Sequence, residues 1–302
     1  MRKTLYLSLA PACLAALVVF AAPAAPAQGG GNQKQDGSSS QRATAPPNSP
    51  KPTDAPKPSD TPKTSTAKVD EKAVAIVERA VEALGGRAYL DVRTVISHGY
   101  YTEFGAGVQG VPSSFRDYLV YPDRDRTEFK GESGRSIQVN TGETGWVFEG
   151  KAKKLSDVTP EQVAGFRTVM RTSIDNILRG WWRADGAGLA YVGRREAGLA
   201  RRNEVVRVSY PDGFEAEFEF DLKEGLPAKV SYKRQNAEGE QVEEEERYAQ
   251  FQTIGQVRTP FIIDHYRAGV QSSRVNYDEV EFNRPVPDSL FAKPADVKAI
   301  KF

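Results

Sequence analysis

The sequence predicts a mainly β protein with helices (α+β): a curved antiparallel sheet with an amphipathic helix laid over its concave face. Three observations carry that expectation. Short stretches rich in β-branched and aromatic residues follow one another through most of the chain, separated by Gly-containing turns. One long helical stretch, from Thr159 to Trp182, interrupts them. The succession of about ten strands is too long for a flat open sheet, so it is expected to curl.

The helical stretch has its own start signal. Thr159 suits the N-cap, Pro160 the first helical position, and Gln162 the return bond of a capping box. Val163, Phe166, Met170, Ile174, Ile177 and Trp181 recur at spacings of three and four, which places them on one face. As one helix it would run about 36 Å, enough to cross a sheet. A helix on a concave sheet can enclose an apolar cavity.

Taken in order, the chain opens with Arg2 and Lys3, an apolar run from Leu5 to Ala22, and two Ala-Pro-Ala sites. That pattern predicts a secretory signal peptide over residues 1–27 and hence a periplasmic protein. A retained anchor is the competing reading, with the apolar run near the lower limit for a bilayer span. Cys13, the single cysteine, falls inside the run and is expected to leave with it. No thiol chemistry or disulfide framework then remains. Residues 28–68 lack aromatic and large aliphatic side chains and are rich in Pro, Ser, Thr and Lys, which predicts a disordered, extended tether.

Residues 69–302 have the length of one large β-rich domain. A helix is expected from Asp70 to Leu84, stopped by Gly85-Gly86. Strands are expected at 92–104, 113–121, 126–130, 136–140 and 145–149, with a short polar link into the central helix. Beyond it the expected strands are 189–195, 203–210, 214–221, 229–235, 241–251, 260–268 and 270–282. The clearest is the third of these: Phe214, Ala216, Phe218 and Phe220 alternate with Glu215, Glu217, Glu219 and Asp221. One face is greasy and the other carboxylate, with Lys229, Ser231 and Lys233 placed to meet the acids across the sheet.

Charge and motif content argue against chemistry. The net charge of +1 leaves no basic stripe for nucleic acid. The two histidines, His98 and His265, sit on different strands, and Asp264 and His265, as strand neighbours, point to opposite faces. The run Glu243-Glu244-Glu245-Glu246 splits two and two between faces and reads as a solvated edge rather than a calcium site. No phosphate-cradling Gly loop or hydrolase Ser elbow occurs. No catalytic residue, metal or cofactor is expected. Trp181-Trp182 reads as core packing plus a shield at the helix end, or else as the mouth of an apolar cavity.

The layout and several phrases carry a resemblance. They are the N-terminal helix ending in Gly-Gly, the Gly145-Trp146 strand before the mid-chain helix, Tyr248 followed by Gly255–Pro260, and the closing Asn283–Phe291. Together, over roughly residues 70–295, these resemble the outer-membrane lipoprotein carrier superfamily, the LolA/LolB-like proteins, which includes the N-terminal domain of RseB-type stress regulators. The resemblance implies a half-open antiparallel barrel whose helices cover the concave side, around a cavity that accepts acyl chains. The expected function is non-enzymatic binding of a lipid or an acylated lipoprotein, by a monomer. The cavity candidates are Trp146, Val163, Phe166, Met170, Ile174, Ile177, Trp181, Phe214, Phe218 and Phe220. An envelope interaction module of the same fold, reading a partner protein, is the alternative, and a hydrolase comes last.

Overall fold

The first helix has both its ends encoded locally. In α1 (Glu71–Leu84), Asp70 accepts a hydrogen bond from the Lys72 amide at 2.9 Å, and the Gly85 and Gly86 amides return to the Glu82 and Val81 carbonyls. Ala73, Ile76, Val77, Ala80, Val81 and Leu84 form its buried face. A computed structural model describes residues 68–300 apart from 106–107, 133 and 237–238. The expected signal peptide and all but the last residue of the expected tether lie outside the described residues.

A one-turn helix, α2 (Arg87–Leu90), leads into the sheet. The first group of strands comprises β1 (Thr94–Gly105), β2 (Val108–Gln109), β3 (Ser113–Val120), β4 (Arg124–Gly131), β5 (Gly134–Thr141), β6 (Gly145–Glu149) and β7 (Lys154–Asp157). Two helices follow, α3 (Pro160–Thr172) and α4 (Ile174–Arg179), and then a turn of 3-10 helix at Trp181–Arg183. The second group is β8 (Gly188–Glu196), β9 (Arg202–Ser209), β10 (Glu215–Asp221), β11 (Pro227–Gln235), β12 (Gln241–Ile254), β13 (Val257–Arg267) and β14 (Val270–Phe282).

These make a single 14-stranded, unclosed antiparallel sheet in the order β7-β6-β5-β4-β3-β1-β14-β13-β12-β11-β10-β9-β8, with β2 folded back on β1. The chain thus starts in the middle, works out to β7, crosses over, and returns from β8 to pair β14 with β1. Thirteen strands laid flat would span about 58 Å. The crossover joins the two outermost strands, yet α3 and α4 together supply only about 29 Å of helix. The sheet therefore curls, as a curved half-open barrel with the helices on one face. Part of the β8 edge is covered by the entering chain: the Asp70 amide donates to the Leu189 carbonyl (2.8 Å) and the Leu189 amide to the Lys68 carbonyl (3.1 Å).

The sheet departs from expectation in three places. Fourteen strands form where about ten are expected: beyond the twelve stretches named from the sequence, the Gly-rich turn holds β2 and the polar link holds β7. The central helix is two helices. Ser173 takes an extended conformation (φ −66°, ψ 144°), and its hydroxyl caps the Asn176 amide at 3.1 Å. The Asn176 side chain in turn bonds the Arg171 carbonyl that the break leaves open. Gly180 closes α4 in the left-handed region (φ +75°), where a side chain would be strained.

The main core lies between the helices and the sheet. It joins α1, α4 and Trp182 to Val95, Phe115, Leu119, Phe129, Val206, Phe218, Phe220, Ile263 and Val275. A second, smaller cluster sits on the opposite face of β5 and β6. There Ile137, Val139, Trp146 and Phe148 are covered by the C-terminal segment through Phe291. Trp146 Nε1 donates to the Phe291 carbonyl at 2.9 Å, and Arg126 donates to the Leu290 carbonyl at 2.8 Å. The closing Asn283–Phe291 phrase is therefore a docking strap. Replacing Trp146 with Phe is expected to lower stability by about 1–2 kcal/mol, mostly by leaving that carbonyl unpaired, as chemical denaturation would show.

Candidate functional site

Strand register fixes which side chains share the helix-bearing, inner face, because directly paired residues point the same way. One aromatic strip runs across five strands there, β4, β3, β1, β14 and β13. Phe129 lies 6.4 Å from Phe115, Phe115 5.6 Å from Tyr277, and Tyr277 6.4 Å from Phe261, with Tyr101 edge-on to Phe129 at 5.9 Å. Beside the strip lies a buried polar row across β1, β3, β4 and β5: Ser97, Asp117, Thr127 and Gln138. Thr127 donates to Asp117 at 2.6 Å, and Asn140 to Asp125 at 2.8 Å.

On the other side of the strip, polarity falls steadily along the strands. β13 presents Arg267, His265, Ile263 and Phe261 in turn; β12 presents Glu244, Glu246 and Tyr248; β14 presents Ser273, Val275 and Tyr277. At the rim, Glu244 bridges Arg234 (2.9 Å) and Arg267 (2.8 Å). One row further in, Glu246, His265 and Ser273 are buried neighbours on adjacent strands. Burial pushes the Glu246 carboxyl up to about 7 and the His265 imidazole down to about 4, so His265 is neutral near pH 7.

The two crossover helices are held very differently. Every residue of α4 from Ile174 to Leu178 is buried. Asp175 accepts from the Tyr89 and Tyr121 hydroxyls (2.6 and 2.8 Å) and pairs with Arg179 at 2.8 Å. Arg179 also donates to the carbonyls of Tyr89, Leu90 and Val92. By contrast α3 buries only Phe166, Val169 and Thr172. Its outer ties are ion pairs at loop tips, Arg167 with Glu143 and Arg171 with Asp212 (2.5 Å), the latter stacked on Tyr210. Beside the α4 anchor, Leu84, Tyr89, Ile174, Val257 and Thr259 help line a cavity of about 10 Å³, the room one water needs.

The expected cavity residues divide accordingly. Ile174, Ile177, Phe218 and Phe220 meet in the main core, with Phe214 packed against it. Phe166 is buried, while Val163 and Met170, on the same helix, are half-buried. Trp181 is half-buried 5.5 Å from the Tyr121 ring, and its neighbour Trp182 is the one fully enclosed. Trp146 is not brought to the others: it faces away, under the C-terminal strap. The aromatic strip and the Glu246 row escaped sequence reading because their members come from different strands and converge only through register.

His98 lies exposed against Glu279 (2.7 Å) while His265 is inside, and Asp264 points outward to Arg274. The carboxylate face of β10 is a ladder of ion pairs: Glu217 with Arg195 and Arg207, and Glu219 with Arg195 and Lys229. The four-glutamate run does not read as a solvated edge throughout, since Glu246 is buried inside. No group of His, Cys, Asp and Glu suited to a metal occurs among the described residues, nor does any helix long and apolar enough to cross a membrane.

No protein-family model and no curated protein matches the sequence. Solved structures do. A LolA superfamily protein from Nitrosomonas europaea is 16% identical, with a TM-score of 0.50 over 73% of this chain and 97% of that one. A DUF1329 family protein from Desulfovibrio piger is 11% identical, with a TM-score of 0.53 over 73% and 97%. At such identities the likeness is one of fold.

Proposed function

We propose, for a chain with the fold of the LolA superfamily, an exported, non-enzymatic protein that binds the acyl chain of a lipid or lipoprotein between the inner face and α3. The observation that carries this reading is the break at Ser173. It leaves α4 riveted to the core while α3 is a half-buried cover, tied on its outer side by the Arg167 and Arg171 ion pairs. Lifting α3 about that hinge uncovers Phe166 and gives access towards the aromatic strip. Each buried CH₂ of an entering chain contributes about 0.8 kcal/mol, so a single acyl chain supplies enough affinity with no catalytic group.

Native mass spectrometry of the protein purified from an exporting host, followed by organic extraction, tests the proposal. A bound mass that extracts as lipid is expected. Phe166→Glu should lower uptake of an added acyl probe by roughly tenfold or more, since a carboxylate would sit where the chain packs. A clean apo mass that also refuses acyl probes would sink the reading.

A further inference from the structure

The inner face is not uniformly apolar, and a buried carboxyl with an unpaired oxygen, Glu246, is placed in line with the proposed chain site. Glu246 is 3% exposed, His265 8% and Ser273 0%, and they lie side by side on β12, β13 and β14. Tyr248 donates to Glu246 Oε2 at 3.0 Å. Glu246 Oε1 has no hydrogen-bond partner among the described residues, and Ser273 Oγ faces the Tyr101 hydroxyl. His265 Nδ1 is 3.9 Å from Oε1, beyond hydrogen-bonding distance. Buried polar atoms are almost always paired, so an unpaired carboxyl oxygen with the Ser273 hydroxyl in the same row marks a place for a donor.

The row's surroundings select the donor. The arginines nearest in register, Arg234 and Arg267, are both taken by Glu244 at the rim. Tyr232, Tyr248, Tyr101 and Glu103 are the other titratable groups facing the row, from β11, β12 and β1. An anionic headgroup would meet carboxyls there. A primary ammonium offers three N–H donors, matching Glu246 Oε1, Ser273 Oγ and the imidazole nitrogen of a neutral His265. We propose that Glu246, His265 and Ser273 form a headgroup subsite for a primary ammonium, whose attached chain runs inward past Tyr248 and Ile263 to the aromatic strip. This rests on the acyl-binding reading and adds the chemistry of the head. The fall in polarity along β13, from Arg267 to Phe261, orients such an amphiphile head to rim.

The test uses the exported protein and three twelve-carbon probes below their micellar concentrations: dodecylamine, dodecyltrimethylammonium and dodecanoate. Dodecylamine is expected to bind at least tenfold more tightly than either of the others at pH 7.5. Glu246→Gln should abolish that preference while leaving binding of the other two within twofold. Ser273→Ala should reduce the preference severalfold, and it serves as the readout if Glu246→Gln does not fold. Equal binding of all three probes, or a preference that survives both substitutions, overturns the subsite and leaves the acyl reading standing. No binding of any probe overturns the acyl reading, and the subsite with it.

Discussion

Replacing Arg179 with methionine is expected to cost about 3–5 kcal/mol of folding stability, the largest loss we expect from one side chain. The guanidinium is buried (5% exposed) against an Asp175 carboxylate that is 2% exposed. It also serves three backbone carbonyls of the α2 region, Tyr89, Leu90 and Val92, at 3.0–3.2 Å, and stacks over the rings of Tyr89 and Tyr121. Methionine fills much of the volume but leaves a buried anion and three open acceptors. Burial, and then the Asp175 charge, hold the Tyr89 and Tyr121 phenols far above the usual range, so both stay protonated donors to Asp175. They do not replace the lost positive charge. Urea denaturation measures the loss, and adding Asp175→Asn to Arg179→Met should recover part of it. A loss under about 1 kcal/mol would mean that α4 is anchored by its apolar contacts alone.

The second large effect is hidden in the native protein and uncovered by mutation. The Glu246 carboxyl titrates near 7 in the fold against an ordinary value of 4.5, and the His265 imidazole near 4 against 6.5. With a raised pKa, Glu246 contributes stability that is complete below pH 4.5 and gone once the pH passes 7. With a depressed pKa, His265 contributes stability that is complete above pH 6.5 and gone once the pH falls below 4. Between 4.5 and 6.5 the two slopes oppose each other, so the native protein should be nearly flat there. In Glu246→Gln only the histidine slope remains, and stability should rise by about 3 kcal/mol from pH 4 to 6.5. His265→Leu should show the reverse, a fall of similar size from pH 4.5 to 7. Midpoints of urea unfolding across that range decide it, and parallel pH profiles for the two variants would contradict the assignment.

Local signals carried much of the fold. Asp70 and the Gly85-Gly86 pair bound α1 because caps act over three or four residues, and the Phe/Glu alternation of β10 marks the face that meets the core, although Glu219 and Asp221 on the other face are buried in ion pairs. The helix break was hidden for the opposite reason. Met170, Ile174 and Ile177 keep helical spacing across Ser173, and only the capping chemistry of Ser173 and Asn176 betrays the stop. β7 reads as a polar link because Leu155 alone is apolar in Lys154–Asp157. Trp146 shows the limit of burial patterning: it is as buried as expected, but alternation cannot tell which of two covered faces a strand side chain enters. Glu246 escaped because the pattern that divides the glutamate run between faces leaves open which pair is solvated.

The position of β1 has a consequence for how the chain acquires its structure. Val95 pairs with Leu119 on one side and with Phe282 on the other, so the strand that opens the sheet is completed by the last strand of the chain. While β8 to β14 are still unmade, the first seven strands can fold as a meander whose edge member, β1, presents a bare row of amides and carbonyls. That ladder is the template for the native closure and equally for a second copy's β14. Joining ends so far apart in sequence makes the final pairing slow relative to the local hairpins. For this architecture the vulnerable interval lies between emergence of β1 and arrival of β14, and whatever shields one strand edge during that interval governs the yield of native protein.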